Sequence, residues 1–382
     1  MKRAVMALSG GMDSTSLLIH LLANNYDVDC ISFRYGQKHV IEIEKAEKNI
    51  HYLSEKGFKV NHIIVDLSSV MSIFHSALTT EELVIPEGHY EEEQMKATVV
   101  PNRNAIFSSI IYGYALSIVS KERKKVKIAL GVHSGDHAIY PDCRPEFYES
   151  LEYSFKIGNW DSEMVDFFLP YIDGDKTSIL RDAEDSCERL KLDFNTVFSN
   201  TITSYNPDSE GRSSGKTGAD IERILAFREI GRVDPIDYID SWNAVLENAI
   251  SVESEHNKKY YKEKLTELEY NVTRNSATEP PFSGQLWDEK KEGEYTCICC
   301  GHLLFTSEMK FDSGCGWPSF HTEHGDAGII QKEDKTLGMV RLEVKCSKCD
   351  AHLGHIFNDG PIRFGGDRYC INSASMSFEE RE

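Results

Sequence analysis

Seven of the ten cysteines fall at or after Cys297. Two CxxC pairs, Cys297/Cys300 and Cys346/Cys349, have the spacing of a structural zinc site, each pair turning a tight knuckle around half of a tetrahedron. Cys299, Cys315 and Cys370 stand outside that set. A plain zinc ribbon accounts for the pairs but not for Cys315, Trp317 and Cys370. Cys299, with its side chain opposed to its neighbours in an extended knuckle, reads as a small buried hydrophobe or an auxiliary redox thiol. Near the other terminus, Ser9-Gly10-Gly11-Met12-Asp13-Ser14 follows a short apolar run. Successive N–H groups at a strand-to-helix turn bind phosphate, and glycines permit dihedrals and close approach that a Cβ forbids. Ser9 and Ser14 add hydroxyls, and Asp13 suits a magnesium ion or the helix start. The alternative is a glycine turn with an Asp cap. The loop lacks the Gly-Lys-Ser/Thr ending of a P-loop and the dinucleotide fingerprint. One chain thus carries two unrelated candidate sites.

These residues need elements to hold them. Residues 4–8, 30–33, 62–65 and 126–130 read as strands, and residues 14–24 and 105–119 as helices, the first burying Leu17, Leu18, Leu21 and Leu22. That alternation predicts an α/β domain with a parallel sheet over residues 1–245. Residues 246–263 read as a charged helical linker. Beyond them, residues 264–382 mix short strands, such as 338–344, with Gly and Cys turns, which predicts a mostly β domain stapled by zinc.

A formal charge of −20 over 382 residues disfavours duplex DNA, which needs clustered Lys and Arg. The basic run at 121–127 reads as a solvated loop. No run reaches membrane-span length, and Met1-Lys2-Arg3 leads directly into a strand. The expected location is therefore cytoplasmic, where thiols stay reduced and CxxC pairs mean metal or redox chemistry.

The Ser9–Ser14 loop resembles the pyrophosphatase loop of ATP-dependent adenylating enzymes. Further stretches resemble the 7-cyano-7-deazaguanine synthases: Arg34-Tyr35-Gly36-Gln37-Lys38-His39 with Glu42, Val100-Pro101-Asn102-Arg103-Asn104, Gly131-Val132-His133-Ser134-Gly135-Asp136, Tyr140-Pro141-Asp142-Cys143-Arg144-Pro145-Glu146-Phe147 and Lys176-Thr177. The resemblance implies an adenine nucleotide alpha hydrolase-like fold, and ATP and Mg²⁺ held by Ser9, Gly10, Gly11, Asp13, Ser14, Arg103 and Lys176. It implies 7-carboxy-7-deazaguanine near Tyr35, Gln37, Asp142, Arg144 and Glu146, and a homodimer through this domain. In that family four cysteines bind zinc before an Arg-x-x-Ala-Phe helix. Here Arg223 to Phe227 keep the helix, but the ligand positions are Ser204, Ser214, Thr217 and Asp220. Three readings stay open: the family reaction survives, the domain is a ligase joining a deazaguanine carboxylate to another amine or protein, or it is an inactive nucleotide-binding scaffold.

Phe311-Asp312-Ser313-Gly314-Cys315-Gly316-Trp317-Pro318-Ser319-Phe320, His352-Leu353-Gly354-His355-Ile356-Phe357 and Arg368-Tyr369-Cys370-Ile371-Asn372-Ser373-Ala374-Ser375 resemble the methionine-R-sulfoxide reductases. The resemblance implies that Cys370 attacks the sulfoxide of free or peptide methionine. Cys315 then resolves the sulfenic acid as a disulfide, and a thioredoxin-like protein reduces it. Trp317 would wall the methyl group, and His352, His355 and Asn372 would position the oxygen and a water. Arg368, on the same strand face as Cys370, would favour its thiolate. The two histidines are alternatively zinc ligands, although four thiolates already fill a tetrahedron.

Overall fold

A computed structural model describes residues 2–37, 41–80, 83–325, 328–335 and 341–381. Lys38 and His39 of the first motif, and residues 338–340 of the expected strand, lie outside the described residues. The chain divides into two compact units, Met1–Ser254 and Glu255–Glu382.

The first unit is built on five strands, β1 (Lys2–Ala7), β2 (Tyr26–Arg34), β3 (Val60–Asp66), β4 (Val126–Ala129) and β5 (Val165–Phe168). All pairings are parallel, in the order β3-β2-β1-β4-β5. Its helices are α1 (Met12–Ala23), α2 (Ile41–Glu55), α3 (Ser68–Met71), α4 (Arg103–Glu122), α5 (Pro145–Gly158), α6 (Lys176–Leu190), α7 (Phe194–Ser199) and α8 (Gly218–Glu229). Strand β1 explains the layering: Ala4 and Met6 pack with α1, α6 and α7, while Val5 packs with α4 on the opposite face. A strand covered on both faces must be apolar at successive positions, which is why residues 4–8 show no polar alternation. The predicted parallel α/β sheet is therefore present. Strand order reverses between β2 and β4 around β1, and the carboxyl ends there open the crevice where such sheets bind ligands.

Helix α9 (Trp242–Lys264) contains the division between the units. The helix spans the segment 246–263 expected as a charged helical linker. Val245 and Ala249 pack against Ile221 and Ile224 in the first unit, and Tyr261 joins the core of the second.

The second unit begins, after α9, with α10 (Glu267–Asn275) and is otherwise mostly β, as expected. Its strands are β6 (Gly293–Cys297), β7 (Leu303–Thr306), β8 (Lys310–Phe311), β9 (Ser319–Phe320), β10 (Ile329–Asp334), β11 (Arg341–Cys346), β12 (His352–Phe357), β13 (Arg368–Ile371) and β14 (Met376–Glu380). They form antiparallel sheets ordered β10-β11-β12-β13-β9-β8 and β14-β6-β7. Tyr295, Phe305, Phe320, Leu353 and Ile371 make the core, with the Phe305 and Phe320 rings stacked 4.1 Å apart. Among the described residues, no helix is long and apolar enough to cross a membrane.

In the first unit, Arg223 of α8 pairs with Asp234 through Nε–Oδ2 at 2.6 Å and Nη2–Oδ1 at 2.9 Å, with both side chains fully buried. Removing one partner of a buried pair strands the other charge. Arg223→Ala should lower the stability of the first unit by about 3–5 kcal/mol, measured from its urea-unfolding transition.

Candidate active sites

At the carboxyl ends of β1 and β4 lies a cavity of about 240 Å³. Gly10 has φ +87, and a Cβ there would run into the carbonyl oxygen of Glu42, so glycine is required where the loop crosses α2. Helix α1 begins at Met12 with no side-chain cap, which leaves its N-terminal N–H groups facing the cavity mouth as anion donors. The Ser9 and Ser14 hydroxyls lie 2.9 Å apart beside them.

Asp13 Oδ2 is 3.1 Å from Lys176 Nζ, and the fully buried His133 brings Nε2 to 3.0 Å from the same ammonium. Burial alone would raise the Asp13 carboxyl, but Lys176 and His133 override it and hold the group below the usual carboxylate range. Burial likewise opposes the Lys176 charge, and Asp13, Glu222 and Asp136 outweigh it. Burial and then Lys176 bring His133 below its ordinary value, with Asp136 and Asp13 acting the other way. Asp13 Oδ1 is buried with no hydrogen-bond partner, an orphan acceptor that fits a cation or a ligand hydroxyl. The Glu222 carboxyl is pushed up to about 7, chiefly by burial.

The far wall is aromatic. Phe33 and Phe107 stack at 4.0 Å, Tyr35 meets Phe107 edge-on at 5.5 Å, and the Arg103 guanidinium sits 5.9 Å from the Tyr140 ring centre. Burial pushes the Glu42 carboxyl up to about 7, with Arg103 pulling the other way.

Ser9, Gly11, Asp13, Ser14, Lys176, Arg103 and Tyr35 therefore line one cavity. Arg103, expected on the nucleotide with Lys176, lines this cavity and also interacts with Tyr35, Tyr140 and Tyr205. Four expected substrate residues do not line the cavity. Gln37 folds back, accepting from Tyr35 N at 2.8 Å and donating to Phe33 O at 3.1 Å, which closes its own turn. Asp142 accepts from Asn104 N at 3.3 Å, fixing that wall residue from behind. Arg144 is exposed and donates to His137 O at 2.9 Å, and Glu146 is exposed in the first turn of α5. The sequence missed Glu42, His133, Asp136, Tyr140, Tyr205 and Glu222 as site residues. All but Tyr205 and Glu222 stood inside recognised motifs, which was the available signal.

The four positions at which the resemblance implied zinc ligands come together in a hydrogen-bonded knot. Asp220, fully buried in the first turn of α8, accepts from Ser204 Oγ at 3.0 Å, Ser213 Oγ at 2.6 Å, Ser214 Oγ at 3.3 Å and Thr217 Oγ1 at 2.8 Å. Burial raises its carboxyl, and the hydroxyl donors act against that rise. The expectation of a chain marked by missing zinc cysteines is corrected, because a four-cysteine cluster suited to a metal is present, in the second unit. Cys297, Cys300, Cys346 and Cys349 place their sulfurs within 4.8 Å of one another. Cys297–Cys349 at 3.6 Å and Cys300–Cys346 at 3.7 Å approach the ~3.8 Å edge of a tetrahedron with ~2.3 Å metal–sulfur bonds. His352 and His355 are not part of this cluster. Cys299 is buried in the adjoining core.

On β13 and the β8–β9 turn, Cys370 and Cys315 bring their sulfurs to 3.8 Å. Burial and then the neighbouring Cys315 push the Cys370 thiol up to about 12. Burial would also raise Cys315, but hydrogen bonds from Ser313 and Ser319 bring it below the usual thiol value. Arg368, expected to serve the Cys370 thiolate, pairs with Asp359 at 2.8 Å and 3.0 Å and reaches Cys315 at 3.5 Å. It also pulls the Cys370 thiol down, though not enough to offset burial.

His352 Nδ1 lies 2.6 Å from Glu343, which leaves its buried Nε2 without a hydrogen-bond partner, and His355 Nε2 lies 2.9 Å from Asp334. Asn372, expected on the sulfoxide oxygen, spends its amide on Glu279 N at 3.1 Å and Leu353 O at 2.9 Å. Glu279, missed in the sequence, accepts from Ser373 N at 2.6 Å and Ala374 N at 2.9 Å, while its carbonyl takes the Trp317 indole at 3.0 Å. It ties the Trp317 wall to the turn after Cys370.

Fold and geometry thus define an α/β domain with a cavity at its strand ends, joined to a thiol-bearing β domain with a four-cysteine cluster that could hold a metal. The chain belongs to the queuosine biosynthesis protein QueC family, whose model matches residues 3–231, and a SelR domain model matches residues 265–380. It is 41% identical over 237 residues to a 7-cyano-7-deazaguanine synthase of Marinomonas sp. (strain MWYL1), covering 62% of this chain and 98% of that one. The corresponding synthase 1 of Colwellia psychrerythraea is 42% identical over 237 residues, covering 62% and 99%. That of Caldicellulosiruptor saccharolyticus is 42% identical over 236 residues, covering 62% and 95%.

Three experiments test the geometry. A zinc-selective chelator should lower the thermal midpoint of the second unit and leave the first unchanged by calorimetry. Asp220→Ala should destabilise the first unit alone, by about 2 kcal/mol or more, because the hydroxyls lose their shared acceptor. Iodoacetamide at neutral pH should alkylate Cys315 before Cys370, since the more acidic thiol holds more thiolate. Peptide mass spectrometry should also find Cys30, Cys143 and Cys187 unmodified, all three being buried with raised thiol values.

Proposed function

We propose that the chain is a bifunctional cytoplasmic enzyme that makes 7-cyano-7-deazaguanine from 7-carboxy-7-deazaguanine and reduces methionine-R-sulfoxide. The observation behind the first activity is the Asp13–Lys176–His133 cluster set beside an uncapped helix start, inside a domain about 40% identical to known synthases. The loop N–H groups, Ser9, Ser14 and Lys176 take the ATP phosphates, and Asp13 holds Mg²⁺ through its orphan oxygen. The substrate carboxylate attacks the α-phosphorus and pyrophosphate leaves. Ammonia displaces AMP to give the amide, a second ATP activates the amide oxygen, and loss of AMP with a proton leaves the nitrile. Two ATP and one ammonia are consumed, and each oxygen departs on AMP. An intact charged cluster argues against an inert scaffold.

The second activity rests on the 3.8 Å separation of Cys315 and Cys370. Cys370 takes the sulfoxide oxygen as its sulfenic acid and releases the thioether. The Cys315 thiolate attacks that sulfur, water leaves, and a disulfide forms, which a thioredoxin-like dithiol reduces. Trp317 walls the methyl group, and His352 Nε2 and His355 border the oxygen. Zn²⁺ in the four-cysteine cluster is structural, and the first domain forms a homodimer.

The test supplies the full-length chain with ATP, Mg²⁺, ammonia and 7-carboxy-7-deazaguanine and follows products by mass spectrometry. Nitrile with about two AMP per product is expected; AMP without nitrile points to another acceptor, and no AMP removes the first activity. Cys370→Ser should abolish sulfoxide reduction and leave AMP formation unchanged. Loss of both, or of neither, contradicts the division of labour.

A further inference from the structure

The cavity has a feature that phosphate chemistry does not use. Glu42, in the first turn of α2, lines it together with Arg103 and Tyr35. Its carboxyl bears on two cavity groups: Arg103 stabilises its charge, and it in turn raises the Tyr35 phenol behind the effects of burial and Arg103. The backbone of Glu42 is fixed as well, because its carbonyl is the surface against which Gly10 packs. A carboxyl and a guanidinium that act on each other electrostatically therefore line the same cavity as the rings of Phe33, Tyr35, Phe107 and Tyr140. Burying a carboxylate there is costly unless a ligand supplies hydrogen-bond donors.

The substrate of the proposed reaction has a matching edge. A 7-carboxy-7-deazaguanine carries two adjacent acceptors, the carboxylate and the ring carbonyl. Two adjacent donors follow, the ring N–H next to that carbonyl and the exocyclic amine. Acceptors beside donors call for a guanidinium beside a carboxylate, with flat rings for the heterocycle to lie against. We propose that Glu42 is the specificity residue for the aminopyrimidinone edge of the substrate, accepting from the ring N–H and the exocyclic amine while Arg103 donates to the carbonyl and carboxylate. The assignment rests on the substrate reading above. It accounts for Arg103 lying among tyrosines in the cavity, and for a wall suited to a purine-like ring without Asp142, Arg144 or Glu146.

The experiment compares 7-carboxy-7-deazaguanine with its analogue lacking the exocyclic amine, in the wild-type chain and in Glu42→Gln and Glu42→Asp, by AMP release. The wild type should prefer the aminated substrate in kcat/KM by about 10- to 100-fold, the worth of hydrogen bonds to a charged group. Glu42→Gln should raise KM for the natural compound by a similar factor, erase most of the preference, and leave KM for ATP within about twofold. Such a split is not produced by general unfolding. Glu42→Asp, which keeps the charge, should retain part of the preference, and unchanged sulfoxide reduction shows that the chain is intact. Equal preference in wild type and Glu42→Gln overturns the role of Glu42 while leaving the substrate reading standing. Absence of AMP from the wild type with 7-carboxy-7-deazaguanine overturns the substrate reading and this inference with it.

Discussion

A single buried carboxylate organises the back of the nucleotide domain. Asp220 gathers hydroxyls from residues as far back as Ser204, and so ties the loop over 204–217 to the first turn of α8. Two residues along that helix Glu222 pairs with Lys176, and three along Arg223 closes on Asp234. The same turn thus anchors a loop, a charged partner of the phosphate site and a buried ion pair. Burying an anion is unfavourable, and here several donors on one acceptor compensate it. Four thiolates around a metal would tie the same points, but with chemistry that depends on supply of the metal.

The charges in the two sites follow from what lies next to them. Lys176 keeps its proton because three carboxylates surround it, and Asp13 keeps its charge because Lys176 and His133 do. The arrangement is electrostatically complete at one oxygen of Asp13 and open at the other. In the thiol site the asymmetry runs between two sulfurs. Cys370 lies in the more apolar position and holds its proton, while hydroxyls favour the thiolate at Cys315.

Legibility in the sequence followed the range of the interactions. The phosphate loop, the CxxC knuckles and the strand carrying Cys370 are local, fixed within a few residues of backbone, and they could be read directly. The alternation of apolar runs gave the parallel sheet for the same reason, although strand order, which depends on distant pairing, was not readable. Glu42 and Glu222 were missed because their significance comes from burial beside groups contributed by other elements. The bond from Glu279 N to the Asn372 amide oxygen, at a separation of 93 residues, was likewise not readable. Gln37, Arg144 and Glu146 sit in specific motifs yet turn away from the cavity. Motif membership located the segment, and only packing decided which of its side chains faced inward.

The two units also differ in what an oxidant can reach. The second carries four clustered thiols and a Cys315–Cys370 pair poised for a disulfide, so oxidation acts on its chemistry directly. In the first, all three cysteines are buried with raised thiol values, and the positions a metal site would occupy hold hydroxyls and a carboxylate. Thiolates are the species that peroxides attack, and zinc–thiolate clusters lose their metal when oxidised. A hydroxyl–carboxylate knot offers no such target. Ser204, Ser214, Thr217 and Asp220 therefore fasten this loop through hydrogen bonds that contain no oxidisable sulfur.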